Sequence, residues 1–306
     1  MNIDSSIYVV GENTLIGVAI HRALERAGYC KTFSEKGEDL KNVSQIDRLF
    51  RERKPEFVFL AAGKTGGIAA NIKYPADLML DNLLIACNII ECARRYNVKK
   101  LLYLASSCSY PRDCAQPMKE EALLTGLLEP TNVAYAVAKI AGIKLCQAYK
   151  SQYGSNFIVG IPANAFGPGD DFSEEDSHVV AALIRKMHEA KVNDRKQVEV
   201  WGTGNPQREF IFVDDLADAC LFIMDNYDTP EPINLGSGMA FSIRDLAEAI
   251  REVVGFNGSI VYDTSKPDGM PIKSLDNSKI RDLGWSPYFS LREGLAITYN
   301  WYRKEY

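Results

Sequence analysis

The 306-residue sequence contains no apolar run approaching the roughly 20 residues that a membrane-spanning helix requires. Its opening residues, Asp4 among them, lack the basic-then-apolar pattern of a secretory leader. No basic excess is present either: 35 Lys and Arg against 40 Asp and Glu leave a formal charge of -5, which argues against nucleic acid or an anionic membrane as partner. The seven cysteines are scattered, without a C-x-x-C pair, and the three histidines have no metal-ligand spacing, so neither a disulfide framework nor a zinc site is indicated. Internal repeats and low-complexity tracts are absent. These absences together lead us to expect a cytoplasmic protein that needs no metal.

What is present is a large supply of core. Hydrophobic residues make up 46% of the chain and charged ones 25%, enough for one large domain and a smaller one. Short apolar runs at Ile7 to Val10, Tyr29 to Phe33, Phe57 to Leu60, Leu101 to Leu104 and Phe157 to Ile161 read as buried strands. Between them, Leu15 to Ala27, Val43 to Arg53, Pro75 to Tyr96 and Val133 to Tyr153 carry apolar residues at helical spacing. Such alternation implies an α/β fold, a Rossmann-type doubly wound parallel sheet, followed by a smaller C-terminal α/β substrate-binding domain. The expected boundaries are 1–165 for the dinucleotide-binding domain and 166–306 for the mainly substrate-binding one. Segments near 205–240, Phe210 to Val213 and Ile233 to Leu235, are candidates to rejoin the first sheet.

Three features carry chemistry. Gly11-Glu-Asn-Thr-Leu-Ile-Gly17 follows the first strand and opens a helix, the arrangement that turns backbone N–H groups and a positive helix end toward a pyrophosphate. Tyr135 and Lys139 lie four apart on one helix face, where the ammonium can stabilise a tyrosinate whose hydroxyl otherwise titrates near 10. Ser106 ends the fourth strand and can hydrogen-bond the same substrate oxygen. Ser, Tyr and Lys beside a nicotinamide describe a short-chain dehydrogenase/reductase site. The choice of dinucleotide stays open on residues alone: Glu35 suits a ribose diol, whereas Lys31 and Lys36 suit a 2′-phosphate. Gly63-Lys64-Thr65 is no P-loop, because Val58 stands where its first glycine belongs.

A closer likeness runs nearly end to end. Ala61-Ala-Gly-Lys-Thr-Gly-Gly-Ile68, Tyr74-Pro-Ala-Asp77, Ser106-Ser-Cys-Ser-Tyr-Pro111, Glu129-Pro-Thr-Asn132, Ser177-His178 and Trp201-Gly-Thr-Gly-Asn-Pro-Gln-Arg-Glu-Phe210 resemble the GDP-L-fucose synthase family of extended short-chain dehydrogenases/reductases. The resemblance implies an NADPH-dependent enzyme, with NADH possible, that epimerises carbons 3 and 5 of GDP-4-keto-6-deoxy-D-mannose and reduces the carbon 4 ketone. It implies Cys108 as base and His178 as acid for the two inversions, with Ser106, Tyr135 and Lys139 as the remaining catalytic groups. The implied cofactor cleft comprises Gly11, Asn13, Thr14, Leu15, Ile16, Gly17, Ala61, Ala62, Leu104, Ala105, Ser106, Ser107, Tyr135, Lys139, Pro162, Ala163, Asn164, Ala165 and His178. Lys186, Trp201, Arg208 and Asp268 would hold the GDP-sugar, with Lys273 a weaker candidate, and a homodimer is implied through the two long helices.

The chain departs from the family pattern at four places. Thr14 replaces a glycine, Asn13 stands where arginine or serine is common, Ala163 replaces a threonine and Gly169 replaces a histidine. Related GDP-4-keto sugars, a 3-deoxyhexose leading to colitose or a heptose, therefore stay open as substrates. An NAD-dependent 4-epimerase or dehydratase would use Tyr135 and Lys139 but leave Cys108 and His178 idle.

Overall fold

The computed structural model describes the whole chain except Lys36, Glu175, Asp176 and Pro267, and the side chain of Ile68. Its first half alternates β1 (Ile7–Val10), α1 (Leu15–Arg26), β2 (Thr32–Phe33), α2 (Val43–Arg53), β3 (Phe57–Leu60), α3 (Ile68–Lys73), α4 (Pro75–Arg95), β4 (Lys100–Leu104), α5 (Val133–Tyr153) and β5 (Phe157–Pro162). Strands β1, β4 and β5 are buried at every residue, because helices cover both faces of the sheet and leave no solvated side to alternate with.

The six strands run parallel in the order β2-β1-β3-β4-β5-β9, the last being β9 introduced below. Strand β1 has β2 on one side and β3 on the other, so the chain reverses direction across the sheet there. A crevice opens beyond the carboxyl ends of strands at such a switch point, the usual ligand position in open α/β sheets.

The second half contains β6 (Asn164–Phe166), α6 (Val179–Val192), β7 (Gln197–Trp201), β8 (Gln207–Phe212), α7 (Val213–Asn226), β9 (Ile233–Leu235), β10 (Ala240–Ser242), α8 (Ile243–Val254), β11 (Ser259–Asp263), β12 (Ile272–Lys273), α9 (Ser278–Asp282) and α10 (Leu291–Glu305). Two expectations need correction. Strand β2 has only two residues rather than spanning from Tyr29, because Tyr29 still donates its N–H to Leu24 O at 3.0 Å and closes the end of α1. The run at Phe210 does not rejoin the main sheet: β8 pairs with β6, β10 and β12 in a second sheet, and Val213 already opens α7.

Two hydrophobic clusters result. The larger surrounds the six-stranded sheet and takes in Leu216, Cys220 and Ile223 of α7, which packs against α1. The smaller gathers Phe166, Leu183, Met187, Phe212, Leu246, Leu295 and Tyr302 around α6, α8 and α10. Glu209 of β8, 1% exposed, ties the intervening loops together. Its carboxylate accepts the N–H groups of Gly238 at 2.7 Å and Leu275 at 2.6 Å, and the Asn277 Nδ2 at 2.8 Å. A Cβ at Gly236 would fall 2.1 Å from Glu209 Oε1, so a side chain there would displace this carboxylate.

Each buried donor left without its acceptor costs roughly 1–3 kcal/mol. Glu209→Ala should accordingly lower stability by on the order of 3 kcal/mol or more. Urea denaturation measures it; a loss within error of zero would show that water or another group takes over these donors.

Candidate active site

The catalytic candidates grow out of two elements that meet at the end of β4. Ser106 leaves that strand with extended backbone and N-caps a single 3-10 turn, Ser107–Ser109, its Oγ accepting the Cys108 N–H at 3.2 Å. Opposite it, α5 presents Tyr135 and Lys139 one turn apart. The Lys139 ammonium, 5% exposed, donates to Leu104 O at 3.2 Å and lies 5.4 Å from the Tyr103 ring and 5.8 Å from the Tyr135 ring. A Cβ at Gly63 would stand 3.2 Å from that nitrogen and 2.5 Å from Asn82 Oδ1, so the loop after β3 can approach only as glycine.

Burial sets the charge states. It lowers Lys139 to about 8. Burial also raises the Tyr135 hydroxyl, Cys108 adds to the rise and a hydrogen bond with Ser106 opposes it, so the phenol keeps its proton near neutrality. For Cys108, burial pushes the thiol up, but the Lys273 charge and hydrogen bonds from Ser106, Lys273 and Asn132 outweigh it and leave the thiol below its ordinary value. The contacts are direct: Lys273 Nζ and Asn132 Nδ2 each lie 3.3 Å from Cys108 Sγ. A cavity of ≈ 30 Å³, lined in part by Tyr110, Met118, Met270 and Lys273, adjoins the sulfur.

The glycine turn lies at the carboxyl end of β1. Gly11 has φ +107, and a Cβ on Gly17 would fall 2.0 Å from Gly11 O, so both positions require glycine. The position between them does not. Thr14 has φ -91 and N-caps α1, accepting the Gly17 N–H at 3.0 Å and donating to Gly11 O at 2.9 Å. Asn13 is exposed, and Leu15 and Ile16 are half-buried at the start of α1. Neighbouring strand ends supply the rest of the cleft. Ala61 and Ala62 follow β3, with Ala62 N 3.0 Å from the Gly11 Cβ position. Leu104, Ala105 and Ser107 are buried at the end of β4, and Pro162 closes β5. Ala163 donates its N–H to Leu235 O, and Asn164 and Ala165 lie on β6 with the Asn164 Nδ2 donating to Glu209 O. Backbone approaching this closely beside a helix N-terminus fits a dinucleotide pyrophosphate.

The remaining candidates lie in the second half. His178 N-caps α6. Its surface is open, yet burial by the surrounding protein lowers its imidazole, with Asp171 opposing. Among the described residues no hydrogen bond or ion pair joins it to Cys108 or Tyr135. Trp201, 61% exposed, has Lys186 Nζ 6.0 Å and Lys266 Nζ 5.5 Å from its ring, a flat surface between two cations. Arg208 donates to Gln207 O and Met270 O, at 2.7 and 2.6 Å. Asp268 is engaged within the protein: it accepts from Thr203 N at 2.7 Å and Thr203 Oγ1 at 2.8 Å and so closes the turn after β7.

Relatives place this arrangement. A model of the NAD dependent epimerase/dehydratase family matches residues 7–236. GDP-L-fucose synthase 1 of Arabidopsis thaliana is 52% identical over 304 residues, which covers 98% of this chain and 94% of its own. The chain belongs to the GDP-L-fucose synthase family. Solved structures agree in fold. A GDP-L-fucose synthetase from Naegleria fowleri bound to NADP superposes with TM-score 0.92 at 30% identity, over 100% of this chain and 95% of the other. A GDP-6-OMe-4-keto-L-xylo-heptose reductase from C. jejuni gives TM-score 0.95 at 34% identity, over 100% and 99%.

Sequence reasoning passed over three residues. Asn132 is visible in the Glu129-Pro-Thr-Asn132 motif but without a role, Lys266 lies in the loop of Asp268, and Asn82 belongs to no motif. Lys273 had been the weakest substrate candidate, and its contact with Cys108 gives it a different part. Replacing Lys273 by Met removes the cation beside the sulfur, so the pH midpoint of Cys108 alkylation by iodoacetamide should move upward. An unmoved midpoint, with Cys108 confirmed as the alkylated residue, would remove Lys273 from this role.

Proposed function

We propose that this chain converts GDP-4-keto-6-deoxy-D-mannose to GDP-L-fucose, inverting carbons 3 and 5 and reducing the carbon 4 ketone. The observation that carries the reading is the acidified Cys108 thiol, held by Lys273 and Asn132 on the same turn as Ser106 and within the field of Tyr135. A reductase acting on a ketone alone has no use for a second base, and neither has a 4-epimerase. Protons on carbons 3 and 5 flank the ketone and are acidified by it, so a thiolate can remove them. Inversion needs an acid on the other face, and His178 is assigned that part on family grounds.

Tyr135 holds its proton near neutrality and can donate it to the carbon 4 oxygen as negative charge develops there, in enolisation and again in reduction. Ser106 hydrogen-bonds the same oxygen, and Lys139 offsets the phenolate left behind. A reduced nicotinamide dinucleotide supplies the hydride when bound. The family likeness and the NADP-bound relative support NADPH, with NADH as the other candidate. Trp201, Lys186 and Arg208 offer a ring face and cations suited to the GDP end of the substrate. Asp268 supports them by fixing the turn that precedes Arg208.

A second reading, a GDP-4-keto-heptose or 3-deoxyhexose as substrate, draws on the heptose reductase likeness and on Ala163 and Gly169. NMR of the product formed from GDP-4-keto-6-deoxy-D-mannose and reduced cofactor in deuterated water separates them. Deuterium at carbons 3 and 5 with an L-galacto product is the expected result, and Cys108→Ser should lose that exchange by about 10²-fold or more. Reduction without exchange would leave a 4-reductase only, and no turnover would favour the heptose or 3-deoxy sugars.

For quaternary structure and setting, we infer a cytoplasmic homodimer. Helices α4 and α5 pack side by side and carry exposed Leu80, Val133 and Val137, apolar groups that the same pair from a second copy would cover in a four-helix interface. No helix among the described residues is long and apolar enough to cross a membrane. Light scattering on the eluting protein should give twice the chain mass, and Leu80→Lys should shift it toward the single chain; a wild-type monomer ends the idea.

A further inference from the structure

The adenosine end of the dinucleotide cleft carries a feature that the reaction above leaves unused. Glu35 follows β2 at the place where an acidic residue in this fold meets the adenosine ribose. It is 8% exposed and bound into the glycine turn itself. The Gly11 N–H lies 2.9 Å from Glu35 Oε1 and 3.2 Å from Oε2, and the Glu12 N–H lies 3.3 Å from Oε1. The turn that would hold the pyrophosphate and this carboxylate are therefore one rigid unit. Among the described residues Oε2 receives the shared amide and a long contact from the Tyr8 hydroxyl, 3.5 Å, which leaves it capacity to accept a further hydroxyl.

We propose that Glu35 makes this chain select the dinucleotide without a 2′-phosphate, so that NADH binds in preference to NADPH. An ionised carboxylate only accepts hydrogen bonds: it receives the ribose 2′- and 3′-hydroxyls of NADH and repels the phosphate that replaces one of them in NADPH. The charges nearby have the same sign. Burial raises the Glu35 carboxyl, the Gly11 and Glu12 N–H groups oppose the rise and the Glu12 charge adds to it; burial likewise raises the Tyr8 hydroxyl, with Glu35, Glu38 and Glu12 adding.

A 2′-phosphate site calls for a guanidinium or ammonium; among the described residues no cation is hydrogen-bonded or ion-paired to Glu35, and Arg53 is held over the Phe33 ring, 5.8 Å from its centre. Asn13 occupies the exposed position of the turn. Lys31, at the opposite end of β2, faces Asp4 at 3.9 Å. His21, hydrogen-bonded to Ser34 next to Glu35, is drawn toward its neutral form by burial, against the pull of Glu12. Lys36 lies outside the described residues, so a Lys36→Ala variant belongs in the test.

The proposal rests on the dinucleotide reading given above, and equilibrium binding separates the two. Titration calorimetry with NADH and with NADPH on the unmodified protein, at one fixed salt concentration, should give at least tenfold tighter binding of NADH. Glu35→Gln keeps an acceptor for Gly11 and the side-chain shape, so it preserves the fold while removing the charge, and it should improve NADPH binding relative to NADH. Equal or tighter binding of NADPH to the wild type overturns the proposal, and loss of that binding in Lys36→Ala would name the residue responsible. Binding of neither nucleotide overturns the cleft assignment and the proposal together.

Discussion

A buried ammonium without a carboxylate partner is the constraint around which this site is arranged. Lys139 forms no ion pair among the described residues; a carbonyl at the end of β4 and two aromatic rings are its surroundings. Keeping a cation in such a place is costly, and the protein meets the cost by lowering its proton affinity to about 8 rather than by neutralising it with an acid. Gly63 passes close to it, beside Asn82, and Tyr135 acquires a cation one turn away that, among the described residues, no carboxylate competes for.

The proposed base, by contrast, is assembled from distant parts of the chain. Cys108 belongs to a turn hung from the main sheet, Asn132 to the short helical turn before α5, and Lys273 to β12 of the second sheet. Glu209 explains how β12 is brought there. It sits on β8, which pairs with β12, and its carboxylate gathers the chain at Gly238, Leu275 and Asn277, two to four residues beyond Lys273 in the latter cases. A buried carboxylate used purely as an acceptor thus fixes, through backbone, the position of an ammonium that acidifies a thiol.

How much of this the sequence carried varies with the distance over which each feature is determined. Tyr135, Lys139 and Ser106 were legible because helical spacing and a strand end place them locally. So were Gly11 and Gly17, and the parallel sheet whose buried runs reveal covered faces. Strand β2 was read too long because the apolar residues from Tyr29 also fit the closing turn of α1, which sequence alone does not separate from a strand. The run at Phe210 has the composition of a core strand, and composition does not say which of two sheets it joins. Lys273, read as a weaker substrate ligand, and Asn132, read without a role, were not linked to Cys108 for the same reason: the links span 165 and 24 residues and exist only after folding. Thr14 was read as a flaw in a glycine motif, whereas its backbone shows that the position never required glycine and that its hydroxyl caps α1.

The split origin of the groups around Cys108 has a bearing on chemical safety. Low-pKa thiols are the ones that oxidants and electrophiles attack. Cys108 owes its acidity to a lysine on another sheet, so a chain still folding, or one whose two halves have come apart, carries an ordinary, sluggish cysteine there. Reactivity arrives only with the docked strand, at the moment the cleft is ready to receive a sugar.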